Sequence, residues 1–104
     1  MTVKDNPAER RYEIYEDDAL AGLAAYRLGE GRIEFIHTEV DPAFQGRGIA
    51  SRLIGEALAD VRRRGLAVWP YCPFVSGYIG RHPEWLDLVP ASERSRFGLV
   101  GARD

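Results

Sequence analysis

The stretch Val40-Asp41-Pro42-Ala43-Phe44-Gln45-Gly46-Arg47-Gly48-Ile49-Ala50 decides how this chain of 104 residues is folded. Before it, Arg32 to Val40 reads as a strand, and Asp41-Pro42 stops that strand because proline cannot continue a hydrogen-bonded ladder. After it, Ile49, Leu53, Ala57 and Val61 recur at spacing four, with Ile54 and Leu58 widening the stripe, which predicts an amphipathic helix over 47–64. Arg52 with Glu56, and Asp60 with Arg64, are expected as i,i+4 pairs on its outer face. Gly65 stands where a glycine ends a helix. Leu66 to Tyr71 then reads as a short apolar strand. Strand, long helix and strand imply a right-handed βαβ crossover with parallel neighbours.

Working outward, the strand Arg32 to Val40 has a phase problem. Ile33, Phe35, His37 and Glu39 share one face; Glu34, Ile36, Thr38 and Val40 share the other. The apolar side changes between Phe35 and Ile36, so either both faces are buried there or a bulge shifts the register. Further upstream, Arg11, Tyr12 and Ile14 lead a strand into the acidic turn Glu16-Asp17-Asp18. Ala19 to Leu28 is alanine-rich and compatible with a helix, but turn-like segments bound it on both sides, and a strand is preferred. Residues 1–10 are polar, contain Asn6-Pro7, and are expected to be a loose lead-in to a single domain over 11–104. Downstream, Phe74, Val75, Tyr78 and Ile79 suggest a short helix ending before His82-Pro83. Trp85, Leu86, Leu88 and Val89 form a last apolar patch, and Pro90 to Arg96 a terminal helical turn. The expectation is an α/β (α+β) domain with a mixed sheet of about five strands.

Composition narrows the function classes. The net charge is −2, with acidic and basic residues mixed, which is not the basic face that duplex binding needs. Arg62-Arg63-Arg64 is the densest cationic run. It reads as cations at a helix C-terminus rather than a nucleic-acid patch, because no aromatic stacking platform accompanies it. Cys72 is the one cysteine, which excludes an intramolecular disulfide and fits a reducing compartment. No signal-peptide core or membrane-length apolar run is present, so a soluble cytoplasmic protein is expected. Two histidines and one cysteine, widely spaced, offer no metal-ligand pattern.

Gln45-Gly46-Arg47-Gly48-Ile49-Ala50 sits where a strand has ended and a long helix begins. The first amides of a helix lack intrahelical partners and carry the positive end of the dipole. Glycines keep side chains away from those amides, so an anion can approach them. Arg47 and Arg52 are expected to add positive charge. A P-loop is excluded because no lysine follows the glycines; Lys4 is the only lysine. A dinucleotide fingerprint would need glycine or alanine at Ser51 and an acidic residue about 20 positions on, where Val68-Trp69-Pro70 stands instead. A turn that merely starts a helix is the plain alternative.

Gln-x-x-Gly-x-Ala after a strand ending in Val-Asp-Pro resembles the acetyl-CoA-binding motif of the Gcn5-related N-acetyltransferases (GNAT). The ordered set His37-Thr38-Glu39-Val40, then Gln45 to Ala50, then Cys72 after the next strand, resembles a compact subfamily without the substrate-covering N-terminal helices. The resemblance covers roughly residues 11 to 85. It implies a mostly antiparallel sheet with the parallel crossover at the glycine-rich motif. It also implies that amides from Gly46 to Ser51 (Gly46, Arg47, Gly48, Ile49, Ala50, Ser51) hold a coenzyme A pyrophosphate. The backbone near Glu39 and Val40 would pair with pantetheine, beside a strand that splays away. A bulge in the Arg32 to Val40 strand is a family feature as well.

Transfer of acetyl from a thioester to an amine needs a neutral amine, a stabilised oxyanion and a protonated leaving thiolate. Four residues are candidates. The resemblance implies an active-site role for Cys72, as nucleophile or as acid toward the thiolate; the plain reading is a small buried apolar residue. Glu39 is a candidate base for the amine, and otherwise a solvated strand-end carboxylate. His37 is a candidate to assist Glu39 or orient Cys72, and otherwise a half-buried histidine bonded to a carbonyl. Tyr78 lies where larger relatives often place a tyrosine that protonates the thiolate, and otherwise packs beside Phe74 and Trp85. The expected activity is acetyl transfer from acetyl-CoA to an unidentified amine, with an open acceptor side suited to a protein or peptide. The alternatives are a non-catalytic acyl-CoA-binding module, or an interaction domain with a vacant cleft.

Overall fold

A computed structural model describes residues 1–99; residues 100–104, counted with the domain on sequence grounds, lie outside the described residues. Five strands form one sheet in chain order: β1 (Thr2–Asn6), β2 (Arg11–Glu16), β3 (Ala19–Gly29), β4 (Arg32–Val40) and β5 (Ala67–Pro70). The β1–β2, β2–β3 and β3–β4 pairs are antiparallel; β4 and β5 are parallel, joined by the helix α1 (Ile49–Arg63). A second helix, α2 (Pro73–Arg81), follows β5, and short 3-10 turns cover Pro83–Leu88 and Ala91–Phe97. Among the described residues no helix is long and apolar enough to cross a membrane.

The expected lead-in is corrected. Thr2 to Asn6 is a full edge strand, in register from Thr2↔Tyr15 to Asn6↔Arg11. Its polar residues hid it, because they bond into the fold. Asp5 accepts the Tyr26 hydroxyl at 2.5 Å, and Asn6 donates to Glu13 at 3.1 Å.

α1 buries Leu53, Ile54, Ala57, Leu58 and Val61 against one face of the sheet, where Tyr12, Ile14, Ala24, Tyr26, Ile33 and Phe35 meet them. Asp60 and Arg64 form the expected i,i+4 pair at 3.5 Å, and both also bond to the sheet. The Tyr12 hydroxyl donates to Asp60 at 2.5 Å, and Arg64 reaches Tyr12 and Asp5. Burial, then the bond to a carboxylate, pushes both the Tyr12 and the Tyr26 hydroxyl above the ordinary tyrosine range. Arg62 lies over the Trp85 ring at 4.7 Å and bonds Asp87, while Arg63 pairs with Asp60. The arginine run thus stays exposed at the end of α1, as expected of cations at a helix C-terminus, with each member paired to a carboxylate.

Two bulges set the site. In β3, Ala21 is skipped between Ile14↔Gly22 and Tyr15↔Leu20. In β4, Ile36 is skipped between Tyr26↔Phe35 and Ala25↔His37. The second bulge resolves the phase problem. Past it, Thr38 and Val40 join Ile33 and Phe35 on the helix-covered face. His37 and Glu39 join Glu34 on the open face, where Glu34 is held by Arg27 and Arg32.

Candidate active site

The β4–β5 pairing stops at Phe35↔Pro70, although β4 runs on to Val40. Beyond that rung, the β4 edge toward β5 has no partner strand among the described residues. Cys72, not Tyr71, donates to the Phe35 carbonyl at 2.9 Å, while the Tyr71 amide turns back to the Trp69 carbonyl at 3.1 Å. β5 therefore ends in a kink that loops Tyr71 out and makes Cys72 the N-cap of α2. Pro73 follows at the first helical position, where a missing N–H costs nothing.

A cavity of about 460 Å³ opens at this split. Its walls are Thr38 and Val40 of β4, then Phe44, Gln45, Gly46 and Gly48 of the connecting turn. Ile49, Ala50 and Ser51 of α1 and Phe74 of α2 complete it. Gly46 and Gly48 adopt φ of +82° and +73°, and no atom lies within 4 Å of a Cβ built on either. Backbone conformation, not space, selects glycine there, since a left-handed L-residue costs about 1–2 kcal/mol. The helix expected from residue 47 accordingly begins at Ile49, after the second left-handed glycine. Backbone N–H groups from Gly46 to Ser51 have no acceptor among the described residues, and all of these residues except Arg47 line the cavity at the start of a 15-residue helix. The turn is pinned from behind. Asp41 donates its N–H to the Ala21 carbonyl at 2.8 Å, a group turned outward by the β3 bulge, and accepts from the Ala43 amide at 2.9 Å.

The positive charge expected from Arg47 and Arg52 is neutralised by carboxylates. Arg47 bonds both oxygens of Glu16 at 2.6 Å and lies 5.5 Å from the Phe44 ring centre. Arg52 pairs with Glu56 at 2.8 Å. The unneutralised positive potential at this turn is that of the backbone amides at the helix start.

Cys72 is buried, and its Sγ lies 3.3 Å from the Thr38 hydroxyl at the inner end of the split. His37 and Glu39 bond to each other at 2.7 Å and stand exposed on the opposite face of the same strand segment. The structure therefore brings Thr38, not His37, to Cys72. Thr38 was missed because its face is fixed only once the bulge is placed at Ile36. Tyr78 does not line the cavity. It is buried, its hydroxyl faces Gly55 of α1, and its ring stacks on His82 at 4.1 Å.

A helix start with unpaired amides, set where two parallel strands part, defines a GCN5-type fold. Residues 11–88 match the family model of the GCN5-related N-acetyl-transferases, and the chain belongs to that family. Among solved structures it is similar to the ribosomal-protein-S18-alanine N-acetyltransferase from Escherichia coli, with a TM-score of 0.54 at 22% identity. That match covers 60% of this chain and 42% of the longer enzyme, so the chain spans less than half of that relative.

Proposed function

We propose that the chain transfers acetyl from acetyl-CoA to a primary amine at the β4–β5 split. The observation that carries this reading is the continuity of free backbone groups: unpaired amides from Gly46 to Ser51 lead to the unpartnered β4 edge and end beside Cys72 and Thr38. Amides at a helix start accept a pyrophosphate. The β4 edge at Glu39 and Val40 offers a strand's donors and acceptors to the pantetheine amides.

The amine nitrogen forms the new bond to the thioester carbonyl carbon, and the C–S bond breaks with its electron pair leaving on the coenzyme sulfur. The amine proton passes to the Glu39–His37 pair, directly or through water, and the thiolate takes a proton from Cys72 or solvent. Direct transfer is favoured over an acyl-enzyme on Cys72. A nucleophilic thiol needs an adjacent base, and the Sγ partner is a threonine hydroxyl.

Calorimetric titration with acetyl-CoA, followed by mass spectrometry of the protein, tests the proposal. Binding and turnover without a protein adduct are expected. No heat of binding would sink the reading, and an acetyl adduct on Cys72 would replace direct transfer by two successive transfers. Binding without turnover on any amine would leave a coenzyme-binding module.

A further inference from the structure

Large apolar side chains are exposed at four described positions: Met1, Leu28, Ile36 and Tyr71. Met1 is the chain start and Leu28 the end of a hairpin. Ile36 and Tyr71, 38% and 43% exposed, are different, because both flank the rung at which the β4–β5 pairing ends. Each is displaced by an irregularity of its own strand. Ile36 is the bulged residue of β4, and Tyr71 is looped out when Cys72 takes its place at the Phe35 carbonyl. A bulge requires no apolar side chain, and a polar residue there would be better solvated. Neither residue lines the donor cavity. Tyr71 is also held in place, with its ring meeting Phe97 edge-on at 5.2 Å. Single exposed apolar residues are ordinary. Ile36 and Tyr71 instead stand at one rung, next in chain to the His37–Glu39 pair and to Cys72.

We infer that Ile36 and Tyr71 are the acceptor's binding platform, and that the acceptor is a primary amine borne close to an apolar side chain. This rests on the acetyl-transfer reading above. The ammonium group of the arriving acceptor is matched by the exposed Glu39 carboxylate, and its apolar part by Ile36 and the supported face of Tyr71. A polyamine or hydroxyalkyl amine would leave that surface in water. An amine flanked by acidic groups would meet Glu39 with like charge.

The test compares 2-phenylethylamine with ethanolamine, and a blocked tripeptide with lysine between leucines against one with lysine between aspartates. The apolar member of each pair is expected to be preferred about tenfold or more in kcat/KM, near the contribution of one apolar group to binding. The two pairs separate a free amine from a peptide source. Ile36→Ser and Tyr71→Ala are each expected to cut the preference severalfold, through KM, with the acetyl-CoA Kd unchanged. In parallel, amide NMR shifts are followed while phenylethylamine is added to the protein with and without coenzyme A. Shifts centred on residues 36 and 71 support the platform, including in protein that shows no acetyl-CoA binding. Equal preference within both pairs, or shifts elsewhere or equal with ethanolamine, overturns it. Failure of acetyl-CoA to bind, read by calorimetry, counts against the donor reading alone.

Discussion

Gly55 lies inside α1, where glycine normally weakens a helix, and Tyr78 explains why it is there. A Cβ built on Gly55 falls 2.8 Å from the Tyr78 hydroxyl oxygen. Ordinary contact is about 3.4 Å or more, so the tyrosine must retreat by roughly half an ångström. That retreat is resisted. Tyr78 is 9% exposed, its ring is stacked on His82 at 4.1 Å, and the His82 amide bonds the Tyr78 carbonyl at 2.9 Å. Gly55→Ala gains about 0.8–1 kcal/mol of helix propensity and incurs about 1–3 kcal/mol of overpacking. The net expectation is a loss near 1 kcal/mol, or a Tm lower by about 4–8 °C for a domain of this size.

Removing the hydroxyl should reverse the sign. In a Tyr78→Phe background the same alanine should stabilise by about 1 kcal/mol, giving a coupling of about 1–3 kcal/mol in the double-mutant cycle. Thermal and urea melts of the four proteins measure it. An equal effect of Gly55→Ala in both backgrounds would refute the packing argument. The cycle also bears on chemistry. A tyrosine that protonates the leaving thiolate would contribute about 10²–10⁴-fold to turnover, whereas a packing tyrosine contributes nothing. Tyr78→Phe is expected to keep kcat within about twofold.

Other outcomes follow from the same geometry. Gly48→Ala should lower stability by about 1–2 kcal/mol through left-handed strain and weaken acetyl-CoA binding about tenfold, since its Cβ would stand beside the unpaired amides; undiminished affinity by calorimetry would count against the amide cradle. Glu16→Gln releases Arg47 for a phosphate, and should tighten acetyl-CoA binding by a few-fold at low salt, fading as salt screens the charge; weaker binding would show that the pair supports the turn instead. The pH dependence follows Glu13. Burial pushes its carboxyl up, but hydrogen bonds from Arg11, Tyr15 and Asn6 outweigh burial and hold it below the ordinary 4.5. A depressed folded-state value means that the contribution is complete above about pH 4.5 and drains as pH falls through that lower value. Glu13→Gln should flatten the acid limb of a Tm-versus-pH curve, and an unchanged limb would refute the assignment.

What the sequence made legible was periodic, and what it hid was displaced by one residue. Spacing four from Ile49 to Val61 fixed α1, and Asp41-Pro42 fixed the end of β4. The glycine pair marked the turn, though not that its left-handed backbone delays the helix to residue 49. β1 was invisible because its stabilising groups are polar: Asp5 and Asn6 bond to side chains 21 and 7 residues away. Nothing local announces such partners. The arginines beside the glycines misled in the same way, for Glu16 is 31 residues from Arg47 in the chain.

The bulge at Ile36 joins these threads. Side chains in a strand alternate with period two, so one extra residue exchanges the faces of everything beyond it. Without the bulge, His37 and Glu39 would point under α1, and Thr38 and Val40 would face solvent. With it, a threonine reaches Cys72, a valine lines the cavity, and a histidine–glutamate pair stands on the open face of the sheet. The phase change between Phe35 and Ile36 was therefore the most informative irregularity in the chain. It marks where the sheet stops being packed on one side only and begins to offer a different chemistry on each face. An Ile36 deletion tests this directly. Removing the unpaired residue leaves Phe35 and His37 adjacent in the chain and on adjacent rungs, opposite Tyr26 and Ala25, so strict alternation keeps His37 and Glu39 on the open face and Thr38 beside Cys72. The Cys72 thiol should stay as slow to react with a disulfide reagent as in the parent, and a folded deletion variant whose thiol reacts freely would show that Ile36 is not the extra residue that sets the faces.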